Sequence, residues 1–542
     1  MPPARASRPR SEYRCYVHPA LASADVARRP RVGQLRDAVS RWEDVIDWRW
    51  TTPLVLTALV ALSLFIRTRQ LNAGFWIDEG ISVGLAHHHW SSIPSLLRQD
   101  GSPPAYYMLL GLWIRAFGDT ERATHTLSLL FGLACIPLAY AAARAIFDRT
   151  TGLVCALLAA LNPFLTYYAQ ETRMYELEAF LSLVIAWAYV EGIVRGRRWW
   201  VALLVPSTAL MVYSHNWGLF LCLGLAGATV LFVRERLALF AVMAGGVALL
   251  YLPWVPTLLF QAKHTGAPWS TTPSIRDLVL APTSVLGGEG SYYAFALVGG
   301  AALYAVVRER RGAERQIVLA LAAMAALTIV AAFISSQVSP AWTTRYFAVV
   351  FGPTLLLAAR GVVRAERLGL VALIGVIFLW SFYTVRNDKE NARSIMAAVA
   401  TYVHPGELII STHPEQTPVL RYYLGPGERW ATTLGPVHDT QVFDWRDAVE
   451  RLRATRAKPE LDRLLATVPK GSEFVVVAPV FRDYRAWRAK WTKLVWRKSQ
   501  AWTWLLQRDR RVQLQAHIVT DEIAVKKNYF KPVQAFVYRR IG

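Results

Sequence analysis

Two adjacent carboxylates, Asp78 and Glu79, in the stretch FWIDEG at 75–80 are the residues of this chain best placed to do chemistry. They follow the first apolar segment closely and are flanked by Phe75 and Trp76. An ionisable side chain near hydrocarbon is costly, so it usually lines a cavity or a substrate path. A carboxylate held there can take the proton of a hydroxyl as a general base. The plainer alternative is an exposed loop carrying two solvated acids. Further along, GSPPAYY at 101–107 brings Tyr106 and Tyr107 to the start of another apolar run.

A second group of polar residues interrupts apolar sequence. QETRMYE at 170–176 ends one apolar segment and begins the next, which puts Glu171, Arg173, Tyr175 and Glu176 at a helix junction. A guanidinium there offers a fixed fork to an anionic oxygen such as that of a phosphate; its ordinary alternative is an arginine reaching for headgroups. Arg345, in SPAWTTRYF at 339–347, invites the same two readings, and Arg122 in FGDTER is a weaker case. His215, in YSHNWG, sits between aromatic residues in a short turn and serves either as a structural hydrogen bonder or as a direct participant. His87, His88 and His89 are consecutive, so on a helix they point in different directions and cannot all reach one ion. One of them could still join Glu79 or Glu171 around a divalent cation, the only cofactor the sequence leaves open.

The elements that must hold these residues are membrane helices. The 542 residues are 54% hydrophobic, 12% aromatic and 18% charged, too apolar for an ordinary soluble chain of this length. A net charge of +22 raises nucleic acid as a partner, but the arginines fall in short clusters between apolar segments, a pattern that orients helices in a membrane. Nucleic acid is therefore excluded and membrane lipid expected. The four cysteines show no disulfide framework and no zinc spacing. Apolar segments at 51–67, 123–143, 151–168, 175–194, 199–213, 217–233, 237–256, 291–307, 316–335, 346–360 and 368–385 predict about eleven crossings. The arginine-rich loops 144–149, 195–198, 234–236, 308–315 and 360–367 are expected inside, with the basic arm 1–50. That arm reads as mostly disordered, ends in an interfacial stretch at 41–50, and is no cleavable signal peptide.

Segment 105–117 reaches about 20 Å as a helix against a hydrocarbon core of about 30 Å. It is expected to lie at the outer interface, as is a helix over 81–98, both within a first external loop at 68–121. Asp78, Glu79, Arg122, Arg173, His215 and Arg345 then converge on one outer face, together with Asp100. Beyond residue 385 the composition becomes that of a soluble region. Strand-like ELIIST and GSEFVVVAPV, with helical sequence from Trp445 to Ala466 between them, predict an α/β layer domain over 386–542 on the outer side. Trp487, Trp491, Trp496, Trp502 and Trp504 fall in a basic helical stretch and read as an interfacial belt or as contacts to a carbohydrate.

The acidic pair in the first external loop, PPAYY, FGDTERATHTLS, NPFLTYYAQETRMYELEAF, YSHNWG and RYF occur in an order that resembles the polyprenyl-phosphate-dependent glycosyltransferases of the GT-C fold, over about residues 50–385. Within that group the pattern is similar to the dolichyl-phosphate-mannose protein mannosyltransferases and the aminoarabinose transferases of lipid A. The resemblance implies that Asp78 is the base that deprotonates an acceptor hydroxyl, that Glu79 shapes the same pocket, and that Arg173 and Arg345 face the donor phosphate. Two features depart from these relatives. GSPPAYY lacks the lysine of the KPPLYY-type segment, and no large folded insert separates the late spans.

The expectation is a multi-pass protein of the cytoplasmic membrane that moves a sugar from a polyprenyl-phosphate donor to a hydroxyl on a glycan, lipid or protein, by inversion. Asp78 and Glu79 are its candidate catalytic pair. Arg173, Glu171, Tyr175, Arg345, Arg122, His215, Tyr106 and Tyr107 are the candidate substrate-binding set. Inversion needs one base and one or two cations for the departing phosphate, whereas retention would use Glu79 or Glu171 as a nucleophile. A transporter or flippase would instead place charges near the midplane and show an interrupted internal repeat. A non-catalytic envelope assembly factor would tolerate loss of the acidic pair.

Overall fold

The computed structural model describes residues 50–308, 312–383, 389–481, 488–520 and 532–542. The basic arm up to residue 49, part of the loop 308–315, and Trp487 lie outside the described residues. Each of the eleven apolar segments is largely helical, though 151–168 is split at Asn162 and 346–360 opens as a 3-10 turn. Among the described residues, five helical stretches are both long and apolar enough to cross a membrane unaided: Glu121–Ile146, Tyr175–Val194, Arg234–His264, Ala313–Val338 and Thr344–Arg364. Their outward residues are hydrocarbon-like, as at Val242, Leu249 and Ile334, each more than 60% exposed. Such surface suits lipid rather than water. Other apolar helices are shorter, including Thr51–Arg67, Arg149–Leu161 and Gly218–Phe232.

The segment 68–121, expected outside, carries three helices, not the two expected: α1 (Ile77–His87), α2 (Ile93–Asp100) and α3 (Ala105–Phe117). The helix expected over 81–98 breaks at His88, whose backbone is extended, and restarts behind Pro94 in the first turn of α2. Pro94 lacks an N–H and favours a first turn, so it suits the start of α2 better than the interior of one continuous helix. In α3, Tyr106, Tyr107, Leu110 and Ile114 are buried while Leu112 and Phe117 are exposed. Helix α4 (Glu121–Ile146) is capped by Thr120, whose side chain accepts the Ala123 N–H. Helix α5 (Arg149–Leu161) ends at Asn162, where Pro163 opens a short new turn and the Asn162 side chain caps Phe164 and Leu165. The following turn, 169–174, leads into α6 (Tyr175–Tyr189).

The loops expected inside do gather together. Arg360 bonds Asp148 and Glu314, Arg364 bonds Glu314, Arg195 donates to the carbonyls of Ala145 and Ile146, and Gln316 donates to Glu235.

The C-terminal region builds a six-stranded sheet in the order β3-β2-β1-β4-β6-β5. Its strands are β1 (Leu408–Ser411), β2 (Arg429–Thr432), β3 (Gly435–Val437), β4 (Glu473–Pro479), β5 (Val512–Ile518) and β6 (Val533–Arg540). β1 pairs in parallel with β2 and β4, the other neighbours being antiparallel. The two strands read from sequence, in LIIS and EFVVVAP, are the adjacent central β1 and β4, whose near-continuous apolar runs suit burial on both faces. Helix α7 (Thr417–Leu424) follows β1, and α8 (Lys490–Arg508) precedes β5. Trp491 and Trp502 of α8 are buried and Trp504 is exposed, so the tryptophan-rich helix is largely core rather than belt.

This region is fastened onto the segment 68–121 and onto the stretch around His264 and Pro268. The Trp445 N–H donates to Gln99 O at 2.9 Å, the Asp447 N–H to His264 O at 2.7 Å, and the Trp491 N–H to Pro268 O at 3.1 Å. Tyr423 accepts the Phe75 N–H at 2.6 Å and donates to Glu121 at 2.9 Å. Gly80 and Gly84, one turn apart on α1, allow the closest approach. A Cβ on Gly80 would sit 2.7 Å from Val419 Cα of α7, and one on Gly84 2.0 Å from Gln441 O.

Candidate active site

Asp78 and Glu79 occupy the first turn of α1, where the helix N-terminus favours negative charge. One residue of helical rotation separates their fates. Glu79 turns inward and is completely buried. Lys389 Nζ donates to both its oxygens at 2.9 Å, the Thr172 N–H donates to Oε1 at 2.7 Å, and the ring of His125 meets Oε1 at 2.7 Å. Lys389 also donates to Gln170 O at 2.6 Å, and His125 holds Leu71 O at 2.8 Å. Burial alone would raise the Glu79 carboxyl, but Lys389 and His125 outweigh it and hold it down at about 2. Glu79 is thus a fixed anion tying together α1, α4, the turn at 170–172 and the start of the C-terminal region. Removing one partner of such a buried pair is typically destabilising by about 3–5 kcal/mol.

Asp78 turns the other way and faces a cavity of about 250 Å³. Its Oδ2 lies 3.1 Å from the Arg345 guanidinium. Arg173 braces the same turn, donating to Ser82 Oγ at 2.9 Å and to the Asp78 carbonyl at 3.3 Å. Asp100, Tyr107, Arg173, His215 and Arg345 line this cavity with Asp78. The His215 ring lies 4.4 Å from that of Tyr346. Burial, followed by Arg173 and Arg345, pushes His215 down to about 3, so it is neutral. Burial raises Asp100.

A second, larger cavity of about 730 Å³ is lined by aromatic and small residues, among them Phe164, Tyr167 and Tyr168, with Glu171, Arg345 and Lys389 as its charged groups. Burial is the main cause that lifts Glu171 to about 7, against the pull of Lys389. Trp76, Thr343 and Arg345 line both cavities. The Arg345 guanidinium carbon lies 5.3 Å from the Trp76 ring centre, within cation–π range. One cation therefore stands in the wall between an apolar chamber and a polar one.

Of the residues expected at the site, Asp78, Tyr107, Arg173, His215 and Arg345 share the smaller cavity and Glu171 lines the larger. Tyr175 is buried behind Arg173, whose guanidinium carbon lies 5.7 Å from its ring centre. Tyr106 is buried against Tyr107 without lining either chamber, and Arg122 is exposed outside both. Glu176 turns toward Arg67, away from both chambers. The three histidines disperse as their spacing requires, His87 to Asp119, His88 to Asp439 and His89 to Ser91. Among the described residues no group of three or more His, Cys, Asp or Glu could hold a metal ion.

Sequence reasoning missed Lys389, His125 and Glu415. Lys389 had a readable signal: it is a basic residue just past the last span at an end expected to be poor in them, the anomaly that marked Arg345.

Residues 101–260 match the family model described as dolichyl-phosphate-mannose-protein mannosyltransferase. Among solved structures the chain is similar to ArnT from Cupriavidus metallidurans in the apo state, with a TM-score of 0.59 and 13% identity over 92% of this chain and 98% of that one. It is equally similar to ArnT from the same organism bound to undecaprenyl phosphate, at 0.58 and 13% over 90% and 97%. No curated protein sequence matches significantly. The likeness read from the sequence holds at the level of fold: the chain shares the fold of these ArnT structures over nine-tenths of its length or more, and part of it matches the mannosyltransferase family model.

Proposed function

We propose that this chain is a membrane glycosyltransferase that moves a sugar from a polyprenyl-phosphate donor to a hydroxyl acceptor. The observation that carries this reading is the shared wall, with Arg345 lining both chambers and paired to Asp78. The larger chamber, apolar with Arg345 and Lys389 at its charged end, suits a polyprenyl chain and its phosphate. A solved structure of the same fold binds undecaprenyl phosphate, which agrees with that assignment. The smaller chamber, with the Asp78 carboxylate, suits the acceptor.

The chemistry follows from this placement. Asp78 takes the proton of the acceptor hydroxyl as its oxygen attacks the anomeric carbon from the face opposite the phosphate. The bond from that carbon to the phosphate oxygen breaks, and the electron pair leaves with polyprenyl phosphate. Arg345 stabilises the charge that develops there, while Lys389 in the same wall is held by Glu79 and Gln170. Phosphate leaves well, so no general acid is needed and the sugar inverts. Glu79 does not touch substrate; it positions the α1 turn that carries Asp78.

The test follows release of polyprenyl phosphate from a panel of polyprenyl-phosphate sugars by purified protein in nanodiscs. Asp78→Asn is expected to lower turnover by about 10²–10⁴-fold while donor binding persists. A stably folded Asp78→Asn protein that turns over at the wild-type rate would overturn the assignment.

A further inference from the structure

The smaller cavity takes part of its lining from the C-terminal region, and the groups that region adds are not needed to deprotonate a hydroxyl. Trp445 and Thr492 come from the sheet-bearing region, as does Glu415, which lies between β1 and α7. Glu415 is 2% exposed and held in place, with Trp491 Nε1 donating to Oε2 at 2.6 Å and the His413 ring meeting Oε1 at 2.8 Å. Trp445 packs against Trp269 with ring centres 4.5 Å apart, and Trp76 and Trp342 line the same space. Four indole rings and three carboxyl groups, those of Asp78, Asp100 and Glu415, thus face one small volume.

That combination selects a chemistry. A pyranose or furanose ring has flat C–H faces that lie against indoles and a rim of hydroxyls that donate to carboxyl oxygens. An acyl chain would leave three carboxyl groups facing hydrocarbon, which is costly. A phosphorylated acceptor would add an anion to a lining whose three carboxyl groups outnumber its two arginines, Arg173 and Arg345. At about 250 Å³ the chamber falls below the range of about 300–1,000 Å³ typical of drug-sized ligands, leaving room for one ring rather than an extended chain.

We propose that the C-terminal region completes an acceptor subsite for the terminal ring of a neutral glycan, with Trp269 and Trp445 as the stacking platform and Glu415 as hydroxyl acceptor. The proposal deepens the transferase reading and rests on it for the word acceptor, though not for the binding of sugar.

The experiment titrates the full-length protein in nanodiscs with the methyl glycosides of mannose, glucose, galactose and arabinose while reading tryptophan emission. A serine- and threonine-containing peptide and glucosamine 1-phosphate form the other arms, and undecaprenyl phosphate binding is measured in parallel. At least one neutral glycoside is expected to quench saturably, with Trp269→Ala and Glu415→Gln each weakening it by about tenfold or more. Both variants are expected to hold undecaprenyl phosphate as wild type does, which also shows that they are folded. Trp269 is only partly buried, so its variant guards against loss of structure at Glu415. The proposal is overturned if only the peptide or the sugar phosphate quenches, if no compound does, or if both folded variants bind the glycoside as wild type. Glycoside binding without undecaprenyl phosphate binding would leave this subsite standing and remove the donor reading instead.

Discussion

Arg345 is fixed by Asp78 on one side and open to the larger chamber on the other, so its neighbours set how an anion is received. Glu171 is the neighbour that changes charge near neutrality. Its carboxyl is raised above the usual range to about 7, so it is mostly protonated below that pH and ionised above it. A phosphodiester donor does not titrate there, and His215, held down at about 3, does not either. Donor affinity is therefore expected to fall by roughly three- to tenfold between pH 6 and pH 8 as the Glu171 charge appears. In Glu171→Gln the fall should flatten, which a binding titration at several pH values checks; an unchanged slope would remove Glu171 from the donor chamber. Residue types near breaks in apolar sequence were enough to single out Asp78, Arg173 and Arg345, which the fold brings to one cavity. They could not divide Asp78 from Glu79, because adjacent acids look alike until the rotation of α1 is known. Nor could they pair Glu79 with Lys389, since nothing local links residues 310 positions apart.

Helix α1 is shaped as much by what it lacks as by its carboxylates. Gly80 and Gly84 present bare backbone to Val419 and Gln441, a small-residue face of the kind that lets helices approach closely. Gly84→Ala would drive a methyl into the Gln441 carbonyl, and overpacking of this sort costs about 1–3 kcal/mol. The expected result is an α1 displaced from the C-terminal region, a lower thermal midpoint and reduced sugar transfer with donor binding kept. Unfolding curves and turnover measured side by side check this, and a wild-type midpoint would show that the contact yields freely. Apolar segments were legible because burial in lipid imposes continuous hydrophobic sequence on a helix. The break between α1 and α2 was less so, since the apolar spacing of Ile81, Leu85, Ile93 and Leu97 reads straight through it. β5 carries exposed polar residues among its apolar ones, and β6 sets Gln534 and two terminal arginines around a short buried run, which hid them beside the plain runs of β1 and β4.

Across the whole molecule, two sets of loops keep separate company. The arginine-rich loops at 144–149, 195–198, 234–236 and 360–367 bond with one another or with residues 314 and 316, and the sheet-bearing region bonds with α1, α2 and the loop near Pro268. With the bias of lysine and arginine toward the cytoplasm, this division supports the proposal that the sheet and both chambers lie outside. A single cysteine introduced at exposed Leu514 of β5 should then react with an impermeant maleimide in intact cells, and one at exposed Trp199 should not. The reverse pattern would invert the topology. The pair of Glu79 and Lys389 also has a bearing on synthesis. With 310 residues between them, a ribosome adding about 5–20 residues per second needs about 15–60 s to deliver the lysine after the glutamate. Throughout that interval the turn carrying Asp78 lacks its buried counter-ion, so a nascent chain reaches a competent site only after its last span has been made.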